Sequence, residues 1–109
     1  MHVGVMRLSL TVSGARSLKD KRQVVRRLKD RLRSRFNVAV AELGDHGDLW
    51  QRGTLVVVSV ARQRDVLARL FESIQREAES LVPGNLIAGA TEYIDSDDVD
   101  GADSGAEWE

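Results

Sequence analysis

The segment from residue 17 to residue 36, SLKDKRQVVRRLKDRLRSRF, constrains the fold more than any other part of this chain. Its apolar side chains recur at Leu18, Val25, Leu28, Leu32 and Phe36, which is the spacing of one face of an α-helix. Nine Lys or Arg residues occupy much of the rest, against two acids. The segment is therefore predicted to be an amphipathic helix with an apolar face on a core and a basic surface outside.

Strand patterns surround this helix. Residues 3–12 alternate between apolar and polar, residues 37–43 form a second short apolar run, and residues 54–60, TLVVVSV, are almost continuously apolar. A second helix is predicted from residue 62 to residue 81, and a fourth strand over residues 86–94 contains Gly89. The buried face of the second helix is predicted to carry Val66, Leu67, Leu70, Ile74, Ala78 and Leu81.

The element order is strand–helix–strand–strand–helix–strand within about 94 residues. Two right-handed crossovers and one hairpin in this order predict an α+β domain, a ferredoxin-like βαββαβ plait. Its four-stranded antiparallel sheet would have strands one and three at the centre and both helices on one face. Residues 1–94 are expected to form this domain, and the other face of the sheet must be polar or covered by something else.

Length and composition exclude several classes of protein. A chain of 109 residues fits one domain, and the absence of cysteine excludes disulfides, thiolate metal sites and cysteine nucleophiles. The apolar runs are too short to cross a bilayer, and the amino-terminal residues lack the pattern of a secretory signal. The sequence therefore favours a soluble, cytoplasmic protein.

The net charge of −1 hides a strong segregation of charge along the chain. Residues 1–35 hold eleven of the sixteen basic groups, and residues 92–109 hold eight acids and no base. Residues 95–109 are predicted to be a disordered acidic tail, because they combine little apolar content with high negative charge. This tail could compete with nucleic acid by folding onto the basic helix, but the sequence favours a solubilising role without specific contacts.

The basic helix is the first candidate binding site, because clustered Lys and Arg attract a phosphate backbone. Four of its cations follow one another at spacings of four, three and four, so they can line one stripe beside the apolar face. The predicted nucleic-acid-binding residues are Lys19, Lys21, Arg22, Arg26, Lys29 and Arg33. A purely solvated face is the alternative. The central strands contain no aromatic residue, so RNA contact is expected through phosphate and shape rather than base stacking.

Trp50 and Arg52 are the second candidate, as an interaction surface. Trp50 carries a large apolar area that packs within the chain, in a self-association interface or, less favourably, against a distinct partner. The apolar third strand supports homodimerisation, so the alternative function is a dimerising protein-interaction module without a role in nucleic-acid binding. His2 and His46 are too few to suggest a metal site, and no cofactor or catalytic constellation is expected.

Three long stretches in order carry a resemblance to a known family. They are HVGVMRLSL, SLKDKRQVVRRLKDRLRSRFNVAVAE and DLWQRGTLVVVSVA, within a similarity that runs from about residue 2 to residue 94. They resemble the YlxP-like family of small bacterial proteins, which is catalogued as a domain of unknown function. The resemblance implies a ferredoxin-like fold. Members tend to be encoded near genes for translation initiation and ribosome maturation, which implies work on RNA or the ribosome. The leading hypothesis from the sequence is therefore a non-enzymatic, RNA- or ribosome-associated protein that binds through the basic helix.

Overall fold

A computed structural model describes residues 1–11, 18–43, 52–82 and 86–95. The elements are β1 (His2–Thr11), α1 (Leu18–Arg35), β2 (Ala39–Glu42), β3 (Arg52–Ala61), α2 (Arg64–Leu81) and β4 (Leu86–Ile94). The predicted order and type of these elements are confirmed. Trp50, His46 and the acidic residues after Asp95 lie outside the described residues, so the predictions made for them stay predictions.

The four strands form one antiparallel sheet in the order β2-β3-β1-β4. β1 and β3 pair over their whole length, from His2 opposite Ala61 to Thr11 opposite Arg52. The predicted central pair is therefore confirmed, and with the two helices the sheet forms the ferredoxin-like plait. β2 has only four residues and pairs with β3, so it is an edge of the sheet.

The core lies between one face of the sheet and the two helices. Its largest fully buried side chains include Leu8, Leu28, Leu55 and Leu67. Both helices lie on this same face: a Cβ added to Gly53 would meet Val25 of α1, and one added to Gly4 would lie 2.7 Å from the ring of Phe71 of α2. The period-two alternation of the strands therefore leaves every second side chain on the opposite face.

The buried face of α2 differs from the prediction at two positions. Val66 is 41% exposed, whereas Phe71, which the prediction omitted, is 2% exposed. The buried residues Leu67, Phe71, Ile74 and Ala78 follow one another at spacings of four, three and four. Val66 precedes this series by one residue and so lies about 100° away around the helix. The prediction was wrong there because a run of adjacent apolar residues does not fix the centre of the buried face.

β2 begins two residues later than predicted, because Asn37 and Val38 belong to the connection that follows α1. The amide of Phe36 donates a hydrogen bond to the carbonyl of Leu32 at 3.0 Å. The hydroxyl of Ser59 then donates to the carbonyl of Asn37, also at 3.0 Å. The second bond attaches the chain just after α1 to β3, directly before β2 begins.

β4 contains a bulge where it pairs with β1. Arg7 faces Ala90, but Ser9, two residues on, faces Ile87, so β4 has one extra residue. Gly89 lies in this bulge, where any Cβ would overlap the carbonyl oxygen of Arg7. Only glycine lets the two backbones approach so closely.

Candidate functional site

The packing of α1 decides which of its cations reach solvent. Val25, Leu28 and Leu32 are at most 1% exposed and face the sheet. α1 contacts β2 and β3 below it and α2 beside it. The cations therefore form three groups: one on the buried face of α1 toward the sheet, one on the side toward α2, and one on the outer surface and the side away from α2.

Lys21 lies on the buried face of α1, toward the sheet. It is 9% exposed, and it precedes Val25, Leu28 and Leu32 at the spacing of the buried face. Its aliphatic stem thus fills a position that an apolar residue would normally take, while its ammonium reaches outward. No buried side-chain nitrogen or oxygen lacks a partner among the described residues, so the ammonium is not an unpaired buried charge. The structure does not place Lys21 with the exposed cations of the predicted site.

Arg31 and Arg35 lie on the flank toward α2. Their guanidinium nitrogens are 3.3 Å and 3.7 Å from the same carboxylate oxygen of Glu77 on α2. The Glu77 side chain is largely shielded from solvent, since only 19% of it is exposed. This acid is 46 residues away from Arg31 in sequence, so local charge counting missed it. Two of the nine cations are therefore partly neutralised by the second helix.

Six cations remain on the outer surface and the far flank of α1. Five are exposed and Lys29 is half-buried. We call this group the α1 basic surface, and it consists of Lys19, Arg22, Arg26, Arg27, Lys29 and Arg33. Within the described part of the chain, none of the six lies within 4.0 Å of a carboxylate oxygen. Five of the six predicted binding residues belong to this surface.

The predicted stripe of four cations forms one edge of this surface. Arg22, Arg26, Lys29 and Arg33 lie on the side of α1 opposite Arg31 and Arg35, so they point away from α2. On the outermost face of the helix, a shallow groove is lined by Gln23, Arg26, Arg27, Asp30, Arg31 and Ser34. Asp30 is the acid inside this groove, and three arginines surround it. The surface as a whole is strongly cationic.

The face of the sheet away from the helices is largely apolar near the start of β1, whereas Ser9, Thr11 and Thr54 make it polar toward the other end. Val3, Val5, Val56 and Val58 are half-buried on it, and Val60 and Ile94 are 53% and 42% exposed. Two exposed charged residues, Arg7 and Glu92, share the face. We call this set of eight residues the open face: Val3, Val5, Arg7, Val56, Val58, Val60, Glu92 and Ile94. None of them is aromatic, so the central strands offer no platform for base stacking.

The second predicted site is only partly covered by the structure. Trp50 lies outside the described residues. The backbone of Arg52 begins β3 and pairs with Thr11, so Arg52 lies at one end of the central strand pair. The role of both residues as an interface stays a prediction.

A smaller polar cluster, which the sequence did not indicate, lies where β1 begins and β4 ends. His2 Nδ1 is 4.0 Å from a carboxylate oxygen of Asp95, and the guanidinium of Arg64 lies 4.4 Å from the ring centre of Tyr93. Among the described residues, no three His, Asp or Glu side chains lie close enough together to bind a metal ion. Within the same residues, neither helix is long and apolar enough to span a membrane.

Comparison with known proteins gives a family and a fold. The family described as "Protein of unknown function (DUF503)" matches residues 3–88. The uncharacterized protein YlxP of Bacillus subtilis (strain 168) is 34% identical over 62 residues. That match spans 57% of this chain and 66% of the relative, slightly less than two thirds of its length.

Solved structures match over nearly the whole chain at low identity. A de novo designed protein with ferredoxin fold has a TM-score of 0.53 and 12% identity, covering 100% of this chain and 93% of its own. SnoaB, a cofactor-independent oxygenase from Streptomyces nogalater, has a TM-score of 0.54 and 10% identity, covering 88% of this chain and 94% of its own. At such identities the likeness supports the ferredoxin-like fold alone.

Proposed function

The chain belongs to the DUF503 family of proteins of unknown function, and from this premise we propose that it is a non-enzymatic protein that binds the phosphate backbone of RNA, free or in the ribosome, through α1. The α1 basic surface is the observation that carries this proposal. Its six cations have no carboxylate within 4.0 Å in the described part of the chain. Cations that the protein does not itself neutralise attract counterions, and a polyanion that displaces these counterions gains free energy.

The dimensions of the surface suit an extended polyanion. Lys19 and Arg33 are fourteen residues apart on α1, which corresponds to about 21 Å along a helix. The stripe from Arg22 to Arg33 spans about 16 Å of this length. Several phosphates of one strand therefore fit beside the helix at the same time. Contacts of this kind hold the backbone and leave the bases unread.

The helical side of the molecule, rather than the sheet, is the side that binds RNA in this proposal. RNA-binding domains of this fold commonly stack bases on aromatic side chains of the two central strands. β1 and β3 have no Phe, Tyr or Trp, and the side chains that they place on the open face are mainly Val. We therefore assign RNA to the helical side, through the backbone and its shape, with little preference for sequence.

The first experiment measures the affinity of the full chain for structured ribosomal RNA at about 50 mM and about 200 mM salt. If four of the six cations contact phosphates, the logarithm of the affinity falls by about three for each tenfold rise in salt. This fourfold rise in salt then weakens binding roughly 50-fold. Absence of binding at the lower salt concentration contradicts the proposal and favours a solvated helix or a protein-interaction surface.

A matched pair of triple variants tests the position of the site. Arg22→Glu, Arg26→Glu and Arg33→Glu together reverse three charges of the α1 basic surface and should abolish binding. The control reverses three exposed arginines outside α1 by Arg62→Glu, Arg69→Glu and Arg76→Glu, with the same change in net charge. The control should retain more affinity by at least about tenfold. Equal loss in both variants would show that net charge, rather than α1, controls binding.

A further inference from the structure

The open face is an apolar surface that the described parts of this chain leave uncovered. We infer that it is the interface of a homodimer, in which two copies of the chain pack sheet against sheet. This inference is independent of the proposed RNA binding, because it concerns the opposite side of the molecule. It rests on the register of the strands, the available area and the two charges on the face.

The register brings the apolar side chains of the open face into contiguous rows. Val3 pairs with Val60 on one neighbouring strand and with Ile94 on the other. In the next row Val5 pairs with Val58, which in turn pairs with Ala39 of β2. These two rows form an apolar patch at one end of the sheet, with Glu92 at its edge. An exposed apolar patch marks an interaction site, because an isolated domain gains nothing from keeping it in water.

The area of the whole sheet, of which the open face is the apolar part, reaches the lower limit for a dimer. Each residue of a sheet covers about 16 Å², since strands lie about 4.8 Å apart and rise about 3.3 Å per residue. The strands contain 10, 4, 10 and 9 residues, which gives a flat area of roughly 500 Å² per copy. Packing of the two whole sheets would therefore bury roughly 1,000 Å², the lower limit for a specific interface, and this area includes the polar rows of Ser9 with Thr54 and Thr11 with Arg52.

The charges on the face favour a second copy over other partners. Arg7 on β1 pairs with Ala90 on β4, and Glu92 pairs with Val5, which lies two residues before Arg7. Arg7 and Glu92 are therefore diagonal neighbours on adjacent strands. Neither lies within 4.0 Å of an opposite charge in the described residues. A two-fold axis repeats every contact, so Arg7 of one copy facing Glu92 of the other produces two reciprocal ion pairs. The face is thus complementary to itself.

The carboxy-terminal segment of the same chain is a poorer occupant. Residues 96–109 contain six acids and no base, and their large apolar side chains are limited to Val99 and Trp108. Packing this segment on valines would remove carboxylates from water without a compensating cation for most of them. A second copy supplies matching apolar rows instead. In such a dimer the helices lie outside, so both α1 basic surfaces remain accessible.

The test is sedimentation equilibrium of the full chain without RNA, from about 1 µM to about 100 µM. The expected result is a species of twice the chain mass of 12.1 kDa. Val60→Asp should shift this species to monomer, because it places a carboxylate in the apolar rows. Val66→Asp is the matched control: Val66 is also exposed, at 41%, but lies on α2. The control should dimerise like the unchanged protein.

Charge exchange provides a second, independent readout. Arg7→Glu alone and Glu92→Arg alone should each weaken dimerisation at least about tenfold, because each brings like charges together. The double variant Arg7→Glu/Glu92→Arg should recover most of the lost affinity. Circular dichroism confirms that each variant is folded.

The inference would be overturned by a monomer at the highest concentration, by a dimer that Val60→Asp leaves intact, or by a double exchange that is no better than either single change. A chain that dimerises only after residues 96–109 are removed would also overturn it, because the tail would then be the occupant. RNA binding by a strictly monomeric protein would refute the dimer and leave the proposed function standing.

Discussion

Replacement of Lys21 by leucine should stabilise this protein, although it removes a cation from a helix that we propose binds RNA. Lys21 is 9% exposed and lies on the buried face of α1, four residues before Val25. The stem of the lysine already excludes water from this position, so leucine occupies it without exposing new apolar surface. Leu and Lys also have similar helix propensities, which leaves side-chain ordering as the main difference.

The expected gain follows from that difference. Fixing a lysine side chain costs about 1.5–2 kcal/mol of rotamer entropy, and fixing a leucine costs about 0.5–1 kcal/mol. The free energy of unfolding should therefore rise by about 1 kcal/mol, since the ammonium no longer has to be held at the edge of the core. For a domain of this size, that gain raises the melting temperature by about 5 °C.

Urea denaturation followed by circular dichroism measures the gain. Lys19→Leu is the matched control, because it removes the same charge from an exposed position of α1. The control should change the free energy of unfolding by less than about 0.5 kcal/mol. In RNA titrations Lys21→Leu should leave the salt dependence nearly unchanged, whereas Arg26→Leu should reduce its slope by almost one.

The result that refutes this reasoning is a loss of stability above about 1 kcal/mol in Lys21→Leu. It would mean that the ammonium forms a contact that the fold requires. A loss of RNA affinity as large as that of Arg26→Leu would refute the division of α1 into buried and exposed cations.

Three further changes test the interactions that hold the fold and delimit the α1 basic surface. Gly89→Ala should cost more than about 2 kcal/mol of stability in thermal unfolding, because its Cβ would overlap the backbone of Arg7; a smaller loss would mean that the bulge relaxes easily. Ser59→Ala should cost about 1 kcal/mol in urea denaturation, because the carbonyl of Asn37 loses its donor; unchanged stability would assign that carbonyl to water. Glu77→Gln should strengthen RNA binding about threefold at low salt, because it releases Arg31 and Arg35. Weaker binding after Glu77→Gln would show that Glu77 orders the arginines for their partner.

The sequence by itself determined the order of the elements, because hydrophobic periodicity is local. The two-residue period of β1 and the spacing of Val25, Leu28 and Leu32 each describe one element and its buried side. The handedness of crossovers then left the ferredoxin-like plait as the simplest arrangement. The positions of five cations on the α1 basic surface follow from the same periodicity.

Only the tertiary structure decided which charges are neutralised and which apolar face stays open. Glu77 meets Arg31 across 46 positions of sequence, and a local pattern contains no information about such a pair. Lys21 carries a polar side chain at a buried position, so periodicity of apolar residues misses it. The valines of β3 are apolar on both faces of the strand, and only helices packed on one side distinguish the covered face from the open one.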